Sequence, residues 1–582
     1  MRIARRTFAA LAIALGCIGV TVRGADGDLA ALQERVGRLE ALTERVEALS
    51  AIKRLQHAYG HYSELGLWHD FADLFADSGI GYYTQGALDR EGIRSLFVKE
   101  VGGGRVGLVD GRIYPHISMQ PLVTLSPDGQ SARGRWHIMA MLGGFNTSAS
   151  WAGGVYENQY IRENGVWKIK EVRYVAQYSG RYDNPGWTPT KEKAPFDINT
   201  SRAGNPIVDP AKAQVRLKPD TTQVRLKADT TPTLAALAKR MADVAARAER
   251  LNDEIEVTNL QHAWGYYVDR REWDEAAALF ASDGTLEVGL QGVYVGKASV
   301  RRGLTAARPA GTGGKDINDH VHLQTIVSIS PDGRTARARG TDLGLIGTGG
   351  QAFLTQSIYE NEFVKQGSGW KFKAMHIYPR FIVDAGKGWA KDAQPAPGPS
   401  RELPPDRPST EAYEVFPRFH LAPLHFDHPV TGKAPQYPEG MKVPARPREA
   451  AREVPRAPTS MSALERLVAS TERSVQRSKG YHAAENLTSA YGYFADDREW
   501  RADAVFLHQI VQPVIEVSDN GRTATIRTRL FQLASPAGGE GTFSSGVYET
   551  AVADEGGAWK LLSAGWKLAI RWTAPSRGGW RR

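Results

Sequence analysis

A single cysteine, Cys17, occurs among the 582 residues, and it lies inside an apolar N-terminal run. Downstream of it there can be neither a disulfide nor a thiolate metal site, whatever the redox compartment. After Val22 no segment approaches the roughly 20 apolar residues that a membrane-spanning helix needs. The chain has no phosphate loop, no dinucleotide fingerprint and no nucleophile elbow, so no cofactor is expected. It also lacks a concentrated Lys/Arg block: the net charge of +9 comes from 73 basic and 64 acidic residues spread along the chain. Without such a block nucleic acid is not expected as a partner.

What is present begins with Arg2, Arg5 and Arg6, followed by the apolar stretch from Thr7 to Val22. This is the pattern of a signal peptide over residues 1–25, and it predicts export to a periplasmic or extracellular compartment. Arg5-Arg6-Thr7-Phe8 fits the core of a twin-arginine signal. Ala14-Leu15-Gly16-Cys17 resembles a lipoprotein box whose usual leading leucine is an alanine, so a lipid anchor at Cys17 is the alternative to removal of the cysteine with the signal. At this length the chain exceeds one hydrophobic core, and 60 Gly and 31 Pro imply linkers between several domains.

Internal repetition sets the architecture. Leu55-Gln56-His57-Ala58-Tyr59-Gly60, Leu260-Gln261-His262-Ala263-Trp264-Gly265 and Leu487-Thr488-Ser489-Ala490-Tyr491-Gly492 are three versions of one segment, each followed at the same offset by Trp68, Trp273 or Trp500. His116, His320 and His508 each precede the glycine of an LSPDG, ISPDG or VSDNG turn by thirteen residues. A third block reads VYENQY, IYENEF and VYETAV, with tryptophan eleven residues after its tyrosine in every copy. Such agreement shows common descent of the three units.

Each unit opens with apolar residues at three- and four-residue spacings, such as Leu32, Val36 and Leu39 or Leu237, Met241 and Val244, which predict helices. Alternating segments ended by Asp-Gly turns follow and predict antiparallel strands, so the fold class is α+β. We place unit one at 28–185, a linker with the tandem nonapeptides QVRLKPDTT and QVRLKADTT at 186–233, unit two at 234–391, a Pro-rich linker at 392–460 and unit three at 461–582. Within the second linker, YEVFPRFHLAPLHF is expected to be ordered against unit two. Unit three is incomplete: Trp68 and His116 are 48 residues apart, whereas Trp500 and His508 are 8 apart.

Helix-first units with DEAAALFASDG from Asp274, a His-led strand and a closing YEN…GxW…K hairpin resemble SnoaL-like domains of the nuclear transport factor 2-like superfamily. The resemblance implies a cone, in which a strongly curved antiparallel sheet wraps around helices and leaves an internal pocket. It implies activities ranging from dehydratase and isomerase to plain binding, since fold does not fix function. In the dehydratase-like branch a tyrosine and a carboxylate on the first helices face a histidine on the sheet. The matching positions are Tyr62, Glu64 and His116 in unit one and Tyr267, Asp269 and His320 in unit two.

The residues carry a reading of their own. An imidazole suits proton abstraction beside a carbonyl, because its reference pKa of about 6.5 lies near working pH. The bland alternative for each histidine is a core side chain bonded to backbone. His137 lies one strand on, where units two and three have Thr341 and Arg529, and Arg173 offers a cation for a developing enolate. We expect Tyr62, His116 and His137 to share one cavity, with Glu64 pointing elsewhere on a regular helix. Asp77 and Asp283 read as helix ends or turns. His420, His425, Asp427 and His428 have spacings that fit a metal, but the surrounding prolines speak against it, and no metal site is assigned. The expectation is a cofactor-independent lyase or isomerase on a small, partly apolar cyclic molecule. The alternative is a non-catalytic binding or assembly protein, and either reading admits a homo-oligomer.

Overall fold

In the computed structural model the described residues are 25–574 apart from 84, 184–186, 191–192, 195–199, 208–232, 312–315, 368, 440–455 and 538. The signal segment, Cys17 and the tandem nonapeptide therefore lie outside them. Unit one runs α1 (Ala25–Leu65), α2 (Trp68–Asp73), β1 (Phe75–Tyr83), β2 (Gly86–Asp89), α3 (Arg90–Leu96), β3 (Arg112–Ile113), β4 (His116–Leu125), β5 (Ser131–Gly144), β6 (Ser148–Glu163) and β7 (Val166–Arg181). Short β8 (Thr188–Pro189) and α4 (Thr200–Ala203) lead to unit two. That unit repeats the order as α5 (Leu234–Arg270), α6 (Trp273–Ala278), β9 (Phe280–Val288), β10 (Val293–Val295), α7 (Lys297–Ala307), β11 (Ile317–Ile329), β12 (Thr335–Thr348), β13 (Gln351–Gln366) and β14 (Gly369–Asp384). Unit three retains α8 (Met461–Glu499), β15 (Val505–Val517), β16 (Thr523–Ser535), β17 (Gly541–Glu555) and β18 (Ala558–Ala574).

Local chemistry explains the boundaries. Thr233 and Ser460 cap α5 and α8 by accepting from Ala236 N and Ala463 N. The three repeated turns are one structure, in which Asp128, Asp332 and Asn520 accept from the backbone two residues on, and Gly129, Gly333 and Gly521 take the left-handed conformation with φ of 74°, 70° and 67°. Asp77 and Asp283 do not end helices. They lie in β1 and β9, where Arg90 and Lys373 pair with them at the surface.

Units one and two share a sheet order, β2-β1-β7-β6-β5-β4 and β10-β9-β14-β13-β12-β11, antiparallel except where β1 meets β7 and β9 meets β14. Among its described residues unit three has only β15-β16-β17-β18. The residues missing between Trp500 and His508 are those that form α2, β1, β2 and α3 elsewhere, which leaves Leu561, Leu562 and Trp566 on β18 exposed.

Each sheet has two apolar faces with different jobs. The concave face covers the unit's own helix, as Trp136, Ile138 and Tyr156 pack with Ile52, Leu55 and Tyr59. The convex faces of all three sheets meet in one cluster, where Met119, Leu323 and Val511 come from equivalent strand positions. The units therefore pack around a three-fold-like axis with α1, α5 and α8 side by side. Gln120, Gln324 and Gln512 sit at bulges with φ of 57°, 54° and 54°. Each reaches a neighbouring unit: Gln120 donates to Ser489 O and accepts from Ile510 N, Gln512 donates to His262 O and accepts from His322 N, and Gln324 accepts from Ser118 N. The invariant glycine of the LQHAYG segment is the reason they fit, because a Cβ at Gly60, Gly265 or Gly492 would collide with the incoming glutamine.

The second linker is ordered over much of its length. Arg407 bridges Val293, Thr410 donates to Glu287, and Phe416 N bonds Arg380 O, so it follows unit two as expected. It then crosses to unit one, where Pro417 O accepts from Gly111 N and His428 bonds Asp70 O.

Candidate active site

Strand register sorts the candidate residues onto opposite faces. His116 pairs with Ala140 and Ser118 with Ile138, which places His116 on the concave face with Trp136, Tyr156 and Tyr174. Met119 pairs with His137, so His137 belongs to the convex face. Its Nε2 lies 2.8 Å from Asp496 of α8, in unit three, and its ring stacks on Tyr493. Arg173 pairs with Glu157, also on the convex side, and its half-exposed guanidinium lies 4.2 Å from the Tyr82 ring centroid and 3.3 Å from Glu171. The common cavity expected for His116 and His137 is thus excluded, because a strand turns neighbouring residues to opposite faces.

The carboxylates are likewise spent between units, in a cycle. Glu64 of unit one accepts from Arg380 of unit two at 2.9 Å and from Gln356. Asp269 of unit two pairs with Arg529 of unit three, which also binds Asp319. Asp496 of unit three holds His137 of unit one. Burial pushes the Asp269 carboxyl up, to about 7. Burial opposes the Arg529 charge too, but the two aspartates flanking it raise its pKa. Tyr62 stacks on His428 at 5.4 Å and neighbours Phe426, both from the second linker. Tyr267 is partly buried at the edge of the unit-two core.

An aromatic ring packs against His116. Tyr114 lies 4.3 Å from it, and the hydroxyls of Tyr59 and Tyr83 are 3.0 Å apart, with Tyr156 3.4 Å from Tyr59. Tyr174 packs on Tyr156 at 5.6 Å. Burial lowers the His116 pKa to about 4, partly opposed by the bond to the Tyr114 carbonyl, so the ring is neutral at working pH. That bond, 3.3 Å from Nδ1, assigns the proton to Nδ1 and leaves Nε2 as the basic atom. Burial raises Tyr83 and Tyr114 beyond the ordinary phenol range, which keeps both as hydrogen-bond donors.

The other units hold different arrangements. His320 pairs with Asp342 at 3.0 Å, and its backbone N–H is held by Asp269. Burial disfavours the imidazolium there, but Asp342 more than offsets it and the pKa rises. His508 is raised in the same way by Asp496, 3.2 Å away. Asp342, Asp496 and the tyrosines Tyr59, Tyr83, Tyr114 and Tyr174 were not singled out as site residues in the sequence. Asp342 has no counterpart at the aligned Ile138 and Leu530, so repetition gave no signal for it. His425 pairs with Glu360, His420 with Glu411 and His428 with the Asp70 carbonyl, so these histidines serve separate contacts.

The geometry defines a class: tandem curved-sheet cones, one of which holds a neutral histidine beside a tyrosine ring. Residues 44–173 and 249–376 match the SnoaL-like domain family, and units one and two are SnoaL-like domains. Parts of the chain are also similar, at low identity, to several solved structures. A putative scytalone dehydratase from Novosphingobium aromaticivorans DSM 12444 is 17% identical, covering 26% of this chain and 95% of its own, with a TM-score of 0.22. A nuclear transport factor 2-like protein of cystatin-like fold from Novosphingobium aromaticivorans is 20% identical over 24% and 88%, TM-score 0.21. A type 2 hexachlorocyclohexane dehydrochlorinase (LinA) is 19% identical over 23% and 90%, TM-score 0.21. No curated protein matches.

Proposed function

We propose that this is an exported, cofactor-independent lyase or isomerase of dehydratase-like chemistry, acting on a small, partly apolar cyclic molecule in the cone of unit one. The observation that carries the reading is His116, neutral, with its proton fixed on Nδ1 by the Tyr114 carbonyl and its Nε2 left unprotonated beside the Tyr114 ring. Nε2 takes a proton next to a carbonyl, and tyrosine hydroxyls, with Tyr59 and Tyr83 nearest each other, donate to the oxygen that gains charge. His320, being charged more readily, suits donation rather than abstraction. A second reading, a non-catalytic binding or assembly protein, is favoured by the linker segment that brings Phe426 and His428 against Tyr62.

Thermal-shift screening against steroids, terpenes and aromatic polyketides should give a stabilising ligand, followed by a turnover assay on that ligand. His116→Ala should then bind but not turn over. Turnover unchanged in His116→Ala ends the catalytic reading, and binding without turnover by the unmodified protein favours the second one.

A further inference from the structure

On the three-fold-like axis, away from every cone, lies a cavity of about 110 Å³ bounded by α1, α5 and α8 and by the strand bulges of all three units. Its size is comparable to the roughly 150 Å³ that admits a benzene ring. The repeats do not line it symmetrically. The equivalent positions Lys53, Thr258 and Glu485 all face it, as do Ser50, Ile255 and His482, so at these positions α1 and α8 present charged and polar groups where α5 presents an isoleucine and a threonine. Met119, Leu323 and Val511 add apolar surface from the strands.

Two features specify what fits. Each cation on the wall already has its carboxylate: Lys53 pairs with Glu485, and Arg54 stands 3.9 Å from Glu254. Burial keeps the lining histidines His57, His262, His322 and His482 neutral. An ion entering would be stripped of water without a counter-charge. The second feature is Gln324, 4% exposed, which lines the cavity and whose Nε2 has no hydrogen-bond acceptor among the described residues, although its counterparts Gln120 and Gln512 donate to Ser489 and His262 carbonyls.

We propose that the axial cavity is a binding site, separate from the cone of unit one, for an uncharged ring-sized molecule bearing an acceptor oxygen, and that its occupant ties the three units together. The site does not depend on His116 chemistry.

Cyclohexanone is the probe, with benzene as a ring lacking the oxygen and benzoate as an anion. Cyclohexanone should raise the melting temperature saturably by about 2–4 °C, benzene less, and benzoate not at all. The shift should persist in His116→Ala and vanish in Thr258→Phe, whose ring fills the cavity; Ile255→Phe is the second filling variant. Independently of either, the Met119 methyl resonance should move on titration, while those of Met139 and Met141 stay. No shift in the unmodified protein, a shift retained in a folded filling variant, an unmoved Met119 methyl, or loss of the shift in His116→Ala alone would each overturn the proposal. The last would place the molecule in the cone and leave the catalytic reading standing.

Discussion

Gly60→Ala tests the packing of the units with a single methyl group. In an exposed helix interior that change stabilises by about 1 kcal/mol, and Gly37, whose Cβ would meet nothing nearer than the Arg240 guanidinium at 3.8 Å, should behave so. At Gly60 the added carbon would lie 2.8 Å from Cδ of Gln324 and closer to its Oε1, well inside the 3.5–4.0 Å of ordinary contact. Gln324 cannot swing away freely, because its Oε1 accepts from Ser118 N at 3.0 Å. Overpacking costs about 1–3 kcal/mol, and a buried donor left unsatisfied about 1–3 more. Against the helical gain of about 1, the net loss is roughly 1–5 kcal/mol. Thermal and urea melts of Gly37→Ala, Gly60→Ala and Gly265→Ala should thus differ in sign. If Gly60→Ala and Gly265→Ala stabilise as Gly37→Ala does, the glutamines do not dock there and the cyclic arrangement is wrong.

Acid should weaken the protein early. Burial holds His57, His116, His262, His322 and His376 at about 4, below the unfolded value near 6.5, so the unfolded chain takes up protons first and stability falls as pH drops from about 6.5 to 4. Each histidine contributes at most about 3 kcal/mol to that loss, with His320, His508, Asp70 and Asp269 acting in the opposite sense; melts that are flat across this window would contradict it. Asp496→Asn removes the carboxylate shared by His137 and His508 and should cost about 3–5 kcal/mol, and by NMR the His508 pKa should fall; an unchanged titration would refute the pairing. A chain truncated after residue 440 loses α8, which packs on both α1 and α5 and carries Asp496, so it should not fold cooperatively. A sharp unfolding transition in calorimetry would show that units one and two suffice.

The repeats, the α+β order and the antiparallel strands were legible in the sequence, because helical spacing, strand alternation and Asp-Gly turns are local properties that each segment carries by itself, whereas the curvature of the sheets was only what the resemblance to SnoaL-like domains implied. The gap in unit three was legible too, since a missing stretch shows directly when three copies are compared. Placing His116 on a strand followed from the same periodicity. What each polar side chain faces was decided only by tertiary structure. Glu64, Asp269 and Asp496 occupy one repeat position, and each is neutralised by a residue from another unit, about 260 to 360 positions away in the chain. His137 and His116 look like partners in sequence, yet the register of β4 against β5 sends them to opposite faces. The conserved-looking glutamines and glycines at Gln120 and Gly492 carry no visible relation until the bulge and the close helix approach bring them together. Long-range pairing of this kind depends on how three curved sheets stack around an axis, and no local pattern of residues encodes it.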